Sequence, residues 1–349
     1  MLPKTLVQDE MQSPKSFDAL MDLVETKYRI EHERTTLEAI ELGKDGTLVT
    51  PAGNWQVTQD FLESCAWAIG MPLPYAYKIS PELFCENFSR RQAETTAPIT
   101  VYRVGDVATG LVVDRTFRYR PASTADVLRS IRQQHQLEFR SASVSFAGVD
   151  VEFVRPGLVV EPVVGDVVEI GVAITNSETG DRQLKATAYS FRLICTNGAM
   201  MTDRVGVARW PNDPRMTDAS CHLGFQRNVS ALCTKRDAVA GLYRASVDRP
   251  VPDVEFWHLW RRVAYLLPRG RADEVLGISE DERRDLQQAV RNRDARQAPA
   301  VTPWTAYGVH NRITHAAHGQ KFRVRRGLQE IGGELLSRAL SWPPAVSAN

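Results

Sequence analysis

The chain has 349 residues, of which 43% are hydrophobic and 24% charged, and its net charge at pH 7 is +1. This composition excludes disorder over most of the chain, and five scattered cysteines without Cys-x-x-Cys spacing argue against a disulfide framework or a zinc ribbon. No apolar run approaches the roughly 18 residues that cross a bilayer, and the first 16 residues lack a signal-peptide core. We therefore expect a cytoplasmic protein that has no membrane partner.

Amphipathic patterns predict two helices near the start of the chain. Apolar residues recur at helical spacing over 16–28, where Ser16 is placed to cap the helix. A second amphipathic run begins after Thr58 and ends at Gly70, which favours the left-handed backbone that stops a helix. Between the two helices, a polar stretch over 36–57 predicts short strands.

The middle of the chain is dominated by extended patterns. The runs 99–104 and 110–113 are joined across Gly105 and Asp106, which predicts an antiparallel hairpin. The runs 167–174 and 184–194 are joined by a turn-rich segment, which predicts a second antiparallel pair. A Ser-x-x-Asp pattern at Ser123 predicts that a helix starts after the first pair. The extended runs cover 99–104, 110–113, 142–154, 167–174 and 184–194.

Helical patterns return in the last third of the chain, over 254–267, from Ser279 to 290, and from about 325 to 340. A connector over 295–303 separates the last two. Strands in the middle and helices at both ends predict an α+β fold, in which a central, mainly antiparallel sheet over about residues 97–195 has helices before and after it.

Three regions follow from this pattern, although one continuous domain is compatible with it. Residues 1–95 form an N-terminal helical and mixed segment, residues 96–205 an antiparallel β-rich core, and residues 206–349 a C-terminal helical region with a basic segment over 295–329. The net charge is −6 over residues 1–100, +3 over 101–250 and +4 over 251–349. This asymmetry points to an anionic partner.

The basic segment 295–329 contains six cations and no acid. If it is extended, Lys321, Arg323 and Arg325 project to one side, and nearby aromatic rings offer surfaces on which bases stack. Cations that alternate with aromatic residues suit single-stranded nucleic acid. The alternative is a solvated helix start whose charges pair with acids elsewhere in the fold. The candidate residues here are Trp304, Tyr307, Arg312, Lys321, Arg323, Arg325 and Arg326.

A second basic patch, Arg115, Arg118 and Arg120, alternates with aromatic residues between a strand and the helix predicted at Ser123. These arginines would extend a strip of phosphate contacts. The alternative is that the aromatic residues anchor a loop to the core and the arginines pair locally.

Three histidines, His310, His315 and His318, lie close together in sequence. On a helix, His315 and His318 would share a face and reach one metal ion, but no carboxylate lies between Asp294 and Glu330 to complete a site. We therefore predict no metal and no other cofactor, and keep these histidines as weak metal candidates.

Three segments together resemble a known family. They are Val112–Pro121, Thr175–Gly198 with its Asn176-Ser-Glu-Thr-Gly turn and Cys195-Thr-Asn-Gly end, and Thr302–Ala317. This order is similar to the domain-of-unknown-function family numbered 932, which is found on phages, plasmids and integrated elements, and the similarity covers about residues 50–340. The third segment departs from the family pattern, which has Asn-Ala-Ile-Thr where this chain has Arg312 in the second position. The resemblance implies a mobile-element setting and no particular activity.

These observations predict a nucleic-acid-binding protein of a phage, plasmid or other mobile element. It would bind single-stranded DNA for annealing, recombination or protection, without catalysis, and would form homo-oligomers. One alternative is a metal-assisted enzyme that acts on nucleotides or nucleic acid. Another is a protein-interaction module that targets a host factor through the acidic first hundred residues.

Overall fold

The computed structural model contains an α+β fold, as the sequence predicts, but its strands form two β-sheets and not one central sheet. Both sheets are mainly antiparallel. None of the helices in the described part of the chain combines the length and the apolar character needed to cross a bilayer. The residues described are 6–8, 10–94, 96–113, 124–146, 148–176, 184–192, 197–200, 206–210, 217–291, 304–318, 320 and 322–342.

The first sheet combines strands that are far apart in sequence. Its order is β1-β5-β6-β4-β3-β2, antiparallel throughout except for the parallel pair β4 and β6. Gly105, with φ of +55°, lies in the tight turn between β5 and β6, where the sequence predicts a hairpin. The strands are β1 (Ile30–Thr36), β2 (Glu41–Leu42), β3 (Thr47–Thr50), β4 (Gly53–Val57), β5 (Pro98–Val104) and β6 (Val107–Val113).

Three helices, α2 (Gln59–Ala68), α3 (Leu73–Ala76) and α4 (Pro81–Gln92), share a core with this sheet. The hydroxyl of Thr58 accepts a hydrogen bond of 3.1 Å from the backbone N–H of Phe61, and this cap explains why α2 begins there.

The second sheet has the order β11-β10-β9-β8-β7, and β12 pairs with the other end of β10. The pairing of β9 with β10 confirms the prediction for the last two extended runs. The strands predicted over 97–195 are therefore divided between two sheets, because β5 pairs with the distant β1. The second sheet contains β7 (Glu138–Ser145), β8 (Gly148–Val160), β9 (Val168–Asn176), β10 (Lys185–Arg192), β11 (Asn197–Met200) and β12 (Val207–Arg209).

One face of the second sheet packs against four helices in the largest apolar core. Side chains alternate along β8, so Val149, Val151 and Phe153 enter this core while Asp150 and Glu152 project to the opposite face. The helices are α1 (Phe17–Glu25), α5 (Thr124–His135), α6 (Asp218–Cys233) and α7 (Arg236–Val247). The helix near the start of the chain thus belongs to the second sheet's core.

The C-terminal helices share a core of their own. Ser279 and Glu282 form the predicted capping box, in which the N–H of each residue bonds to the side chain of the other, at 2.7 Å and 3.2 Å. These helices are α8 (Asp253–Leu266), α9 (Arg269–Leu276), α10 (Glu280–Arg291), α11 (Ala306–Ala316) and α12 (Phe322–Ala339). Because α12 begins at Phe322, residues 323 and 325 are helical and not on one side of an extended segment.

Candidate nucleic-acid interface

Several predicted cations cannot be located in the structure. Arg115, Arg118, Arg120 and Lys321 lie outside the described residues. Arg323 is described only as a backbone position in the first turn of α12. The structure therefore tests the predicted strip at Arg312, Arg325 and Arg326.

The predicted exposure of Arg326 is wrong, because its guanidinium group is buried between two carboxylates. Nη1 lies 3.1 Å from Oδ1 of Asp150, and Nε lies 3.0 Å from Oε1 of Glu330. Only 10% of the Arg326 side chain and 3% of the Asp150 side chain is exposed. A charge pair at this depth holds α12 against β8 and is not available to a polyanion.

Arg325 also faces the polar side of β8, with 19% of its side chain exposed. Its Nη2 lies 3.9 Å from Oε1 of Glu152, which also accepts a 2.9 Å hydrogen bond from the amide of Gln329. The hydroxyl groups of Tyr189 and Ser141 donate to the other carboxylate oxygen of Glu152. Burial, followed by the Glu152 charge, raises the pKa of Tyr189 well above its usual range. The arginines therefore satisfy carboxylates that β8 projects from its polar face.

Trp304 and Arg312 do meet, but within the fold. The Arg312 guanidinium carbon lies 4.1 Å from the centre of the Trp304 ring, which is a cation–π contact. Trp304 is partly buried against the C-terminal core. One face of this ring is thus covered by a cation of the same chain, which argues against Trp304 as a stacking platform.

Tyr307 is buried, so the prediction that it is an exposed stacking residue is wrong. Its ring packs edge-on against Tyr243, with 6.2 Å between the ring centres, and faces the guanidinium of Arg192 at 6.0 Å. The aromatic position in the basic segment is therefore a core position of α11.

The three histidines do not come together as metal ligands. His310 is buried, and its Nδ1 lies 3.0 Å from the carbonyl oxygen of Gly332, whereas His315 and His318 are exposed. Across the described residues, no group of three His, Cys, Asp or Glu side chains is placed to hold a metal ion. Burial lowers the pKa of His310 to about 4, so its ring is neutral at physiological pH.

A different surface combines exposed cations with an exposed ring. Apolar residues of α8 face the C-terminal core, and its opposite side carries His258, Arg261, Arg262 and Tyr265. These four residues line one groove of about 640 Å³ between α8 and α12. The Tyr265 ring is 89% exposed, and Arg269 follows it at the start of α9. We refer to Arg261, Arg262, Tyr265 and Arg269 as the Tyr265 surface.

Carboxylates in the same groove are already neutralised. Glu334 pairs with Arg262 at 2.7 Å and with Arg338 at 3.0 Å, and Glu255 pairs with Arg338. Arg261 and Arg269 have no carboxylate partner among the described residues. These two cations flank Tyr265 in sequence, Arg261 inside the groove and Arg269 at the start of α9.

The beginning of α12 lies beside this surface. A Cβ atom on Gly327 would be 2.6 Å from Cδ1 of Leu266, the residue after Tyr265, so α8 and α12 pack closely at this position. Arg323 precedes Gly327 by one helical turn. The end of the predicted basic segment at Gly327 and the Tyr265 surface are therefore neighbours in space.

The sequence contains patterns that place both the acids of β8 and the residues of the Tyr265 surface. Asp150 and Glu152 alternate with apolar residues in Val149–Val154, a pattern that places both acids on one face of the strand, where they meet the arginines of α12. Arg261 and Tyr265 are spaced i, i+4 on a helix whose other side is apolar, a pattern that places both on the solvent face.

Comparisons of this chain with protein-family models, with curated proteins and with solved structures find no match. The resemblance of three segments to family 932 therefore stays a prediction.

Proposed function

We propose that this chain is a non-catalytic protein of a mobile element that binds single-stranded DNA at the Tyr265 surface. The observation that carries the proposal is the exposed Tyr265 ring between arginines that have no carboxylate partner among the described residues. Such a ring offers a face on which a base stacks, while neighbouring guanidinium groups contact the phosphates on either side. A single strand fits better than a duplex, because duplex bases are stacked on one another and leave no face for the ring.

Two further features support the proposal. The C-terminal third of the chain carries the +4 net charge, and α12, whose first turn includes residue 323, packs against α8 where Gly327 meets Leu266, the residue after Tyr265. The N-terminus of an 18-residue helix also carries a partial positive charge that attracts phosphate. Annealing, recombination and protection of DNA all begin with this mode of binding.

Fluorescence anisotropy with a labelled oligothymidylate tests the proposal. Tyr265→Ala is expected to weaken binding by about 5-fold to 150-fold, because base–aromatic stacking contributes about 1–3 kcal/mol per base. The matched control is Tyr75→Ala, which removes an exposed tyrosine from α3 beside the first sheet. No measurable binding at low salt, or equal effects of the two substitutions, would contradict the proposal.

A second candidate function is protein binding by the acidic N-terminal hundred residues. The specific observation is Trp67, which is 72% exposed at the end of α2, near Tyr77, whose hydroxyl bonds to Glu63 one turn before Trp67. Exposed tryptophan and tyrosine are the residues that dominate protein interfaces. Host proteins retained by the wild-type chain and lost with Trp67→Ser, but not with Tyr265→Ala, would support this function. Identical sets of retained proteins would remove it.

A further inference from the structure

A group of polar side chains at the end of β10 has hydrogen-bonding capacity that the described fold does not use. Nε of Arg192 donates to Oδ1 of Asp166, which lies in the loop between β8 and β9. The Arg192 side chain is 23% exposed, whereas Asp166 is buried. This pair is a polar site that opens at Arg192.

Two buried atoms around Arg192 have no hydrogen-bond partner in the described part of the chain. They are Oδ2 of Asp166 and the hydroxyl oxygen of Tyr307, whose ring centre lies 6.0 Å from the Arg192 guanidinium carbon. A buried polar atom left without a partner costs about 1–3 kcal/mol, so folded proteins rarely retain one without a use. Both atoms belong to residues that contact Arg192, Asp166 through its other carboxylate oxygen and Tyr307 through its ring.

Neighbouring polar groups are occupied by each other and hold the site in shape. The hydroxyl of Tyr243 lies 2.7 Å from Oγ of Ser190 and 3.4 Å from Nε2 of His310. Nδ1 of His310 is in turn bonded to the carbonyl of Gly332. Because the Tyr243 ring packs edge-on against Tyr307, this chain of bonds fixes the ring that carries the unused hydroxyl.

The loop that contains Asp166 also presents apolar side chains to solvent. Val164 is 97% exposed, Val163 is partly exposed, and Gly165 has φ of +82°. The N–H of Asp166 donates to the carbonyl of Val163 at 2.9 Å, which closes a turn and keeps the valines next to the polar site. Apolar surface and unused polar atoms therefore lie side by side.

We propose that Asp166, Arg192 and Tyr307 bind the hydrogen-bonding edge of a nucleobase, with Val163 and Val164 against the face of the base. The Arg192–Asp166 pair has no net charge, which favours a neutral ligand over an anion. Arg192 and Tyr307 donate hydrogen bonds, while Oδ2 of Asp166 accepts one, so the ligand carries an acceptor beside a donor. A nucleobase has such an edge together with an apolar face. The choice of a nucleobase rests on the proposed function.

Equilibrium dialysis of the full chain against adenosine, guanosine, cytidine and uridine, each tested separately, measures this site. At least one nucleoside is expected to bind saturably. Val164→Ser should weaken that binding about 3-fold to 10-fold without disturbing the fold, because the side chain is exposed. The matched control is Val49→Ser, which exchanges a partly exposed valine in β3 of the other sheet.

Asp166→Asn tests whether Asp166 contacts the ligand, because a purely structural residue would not change the preference among nucleosides. It replaces an oxygen that only accepts with an amide that also donates, and should therefore change which nucleoside binds best, by about 10-fold in relative affinity. Absence of saturable nucleoside binding, or equal weakening by Val164→Ser and Val49→Ser, overturns the inference.

Nucleosides lack phosphate, so this result is independent of the Tyr265 surface. If nucleosides fail to bind while the oligonucleotide binds through Tyr265, only the nucleobase site is lost. If nucleosides bind and the oligonucleotide does not, the proposed function fails and the site remains.

Discussion

Arg325 and Arg326 show that a cation in a basic run need not be available to a ligand. Both side chains turn towards β8, where Asp150 and Glu152 lie about 175 positions earlier in the chain. The absence of acids within 295–329 therefore does not leave these two cations unpaired. The fold brings carboxylates from distant parts of the chain next to them. Arg261, by contrast, lines a groove whose carboxylates contact other arginines, so its charge stays accessible.

Loss of the guanidinium group beside Asp150 should destabilise the protein strongly. Arg326→Ala removes the cation that lies 3.1 Å from a carboxylate with only 3% exposure, and the expected loss in the free energy of unfolding is about 3–5 kcal/mol. Chemical denaturation measures it. The control is Arg90→Ala, which breaks an exposed i, i+4 pair with Glu86 and should cost less than about 0.5 kcal/mol. Similar losses in the two variants would show that Arg326 is not buried against Asp150.

The pKa of His310 gives the stability a pH dependence of definite sign. Burial lowers this pKa from 6.5 to about 4, so in acid the unfolded chain takes up a proton before the folded chain does. Stability attributable to His310 is complete above pH 6.5 and falls as the pH drops towards 4, by roughly 3 kcal/mol over the window.

His310→Gln isolates this effect, because glutamine retains a donor for the Gly332 carbonyl but does not titrate. Unfolding free energies of the wild type and the variant, measured from pH 7 to 4, should converge as the pH falls. Parallel curves would mean that His310 is already protonated or accessible in the folded protein.

At the scale of elements, Gly171 marks a place where strand packing admits no side chain. A Cβ atom there would lie 1.9 Å from the carbonyl oxygen of Phe153, a backbone atom of the neighbouring strand that cannot rotate away. The register of β8 against β9 shifts just beyond this point, between Val154 and Val159. The glycine thus belongs to the geometry of the bulge.

Gly171→Ala is expected to lower the free energy of unfolding by about 3 kcal/mol, because the strands must separate to admit the methyl group. Gly241→Ala is the matched control. That glycine is inside α7, and no atom lies within 4 Å of the place that a methyl group would take, so alanine should stabilise the helix by about 0.5–1 kcal/mol. Thermal unfolding of the two variants should therefore shift in opposite directions, and a shift of the same sign in both would contradict this account.

Local signals explain which elements the sequence predicts well. Ser16 caps α1 through a 3.1 Å bond from the N–H of Ala19, and the Ser279 capping box starts α10, as their patterns indicate. The start of α12 is three residues earlier than predicted, since alternating cations at 321–326 read equally well as an extended segment or a helix turn. The sequence does not predict α6, because its apolar residues do not stand out against frequent small and polar residues.

At the scale of the whole molecule, the α+β class follows from the order of patterns, but the division into two sheets does not. β1 pairs with β5 across more than sixty residues, so the first sheet crosses the boundary predicted at residue 95. Such pairings depend on which strand edges meet after collapse, and periodicity in one strand carries no information about its partner. The candidate site has the same limitation, since Tyr265 and the start of α12 meet only through the packing of α8 on α12.

The charge distribution of the whole chain gives the central claim its physical content. Residues 1–100 carry −6, whereas the C-terminal third, which contains the Tyr265 surface, carries +4. A polyanion is therefore expected to bind at the C-terminal helices. The acidic N-terminal region is expected to repel it.

The slope of log affinity against log salt concentration, measured with a labelled oligothymidylate, tests this claim most directly. Each phosphate contact contributes about −0.7 to the slope for a single strand, so Arg261→Ala combined with Arg269→Ala should make the slope shallower by about 1.4. Arg29→Ala, which removes an arginine outside the C-terminal helices, should leave it unchanged. An identical slope for the wild type and the double variant would contradict the account.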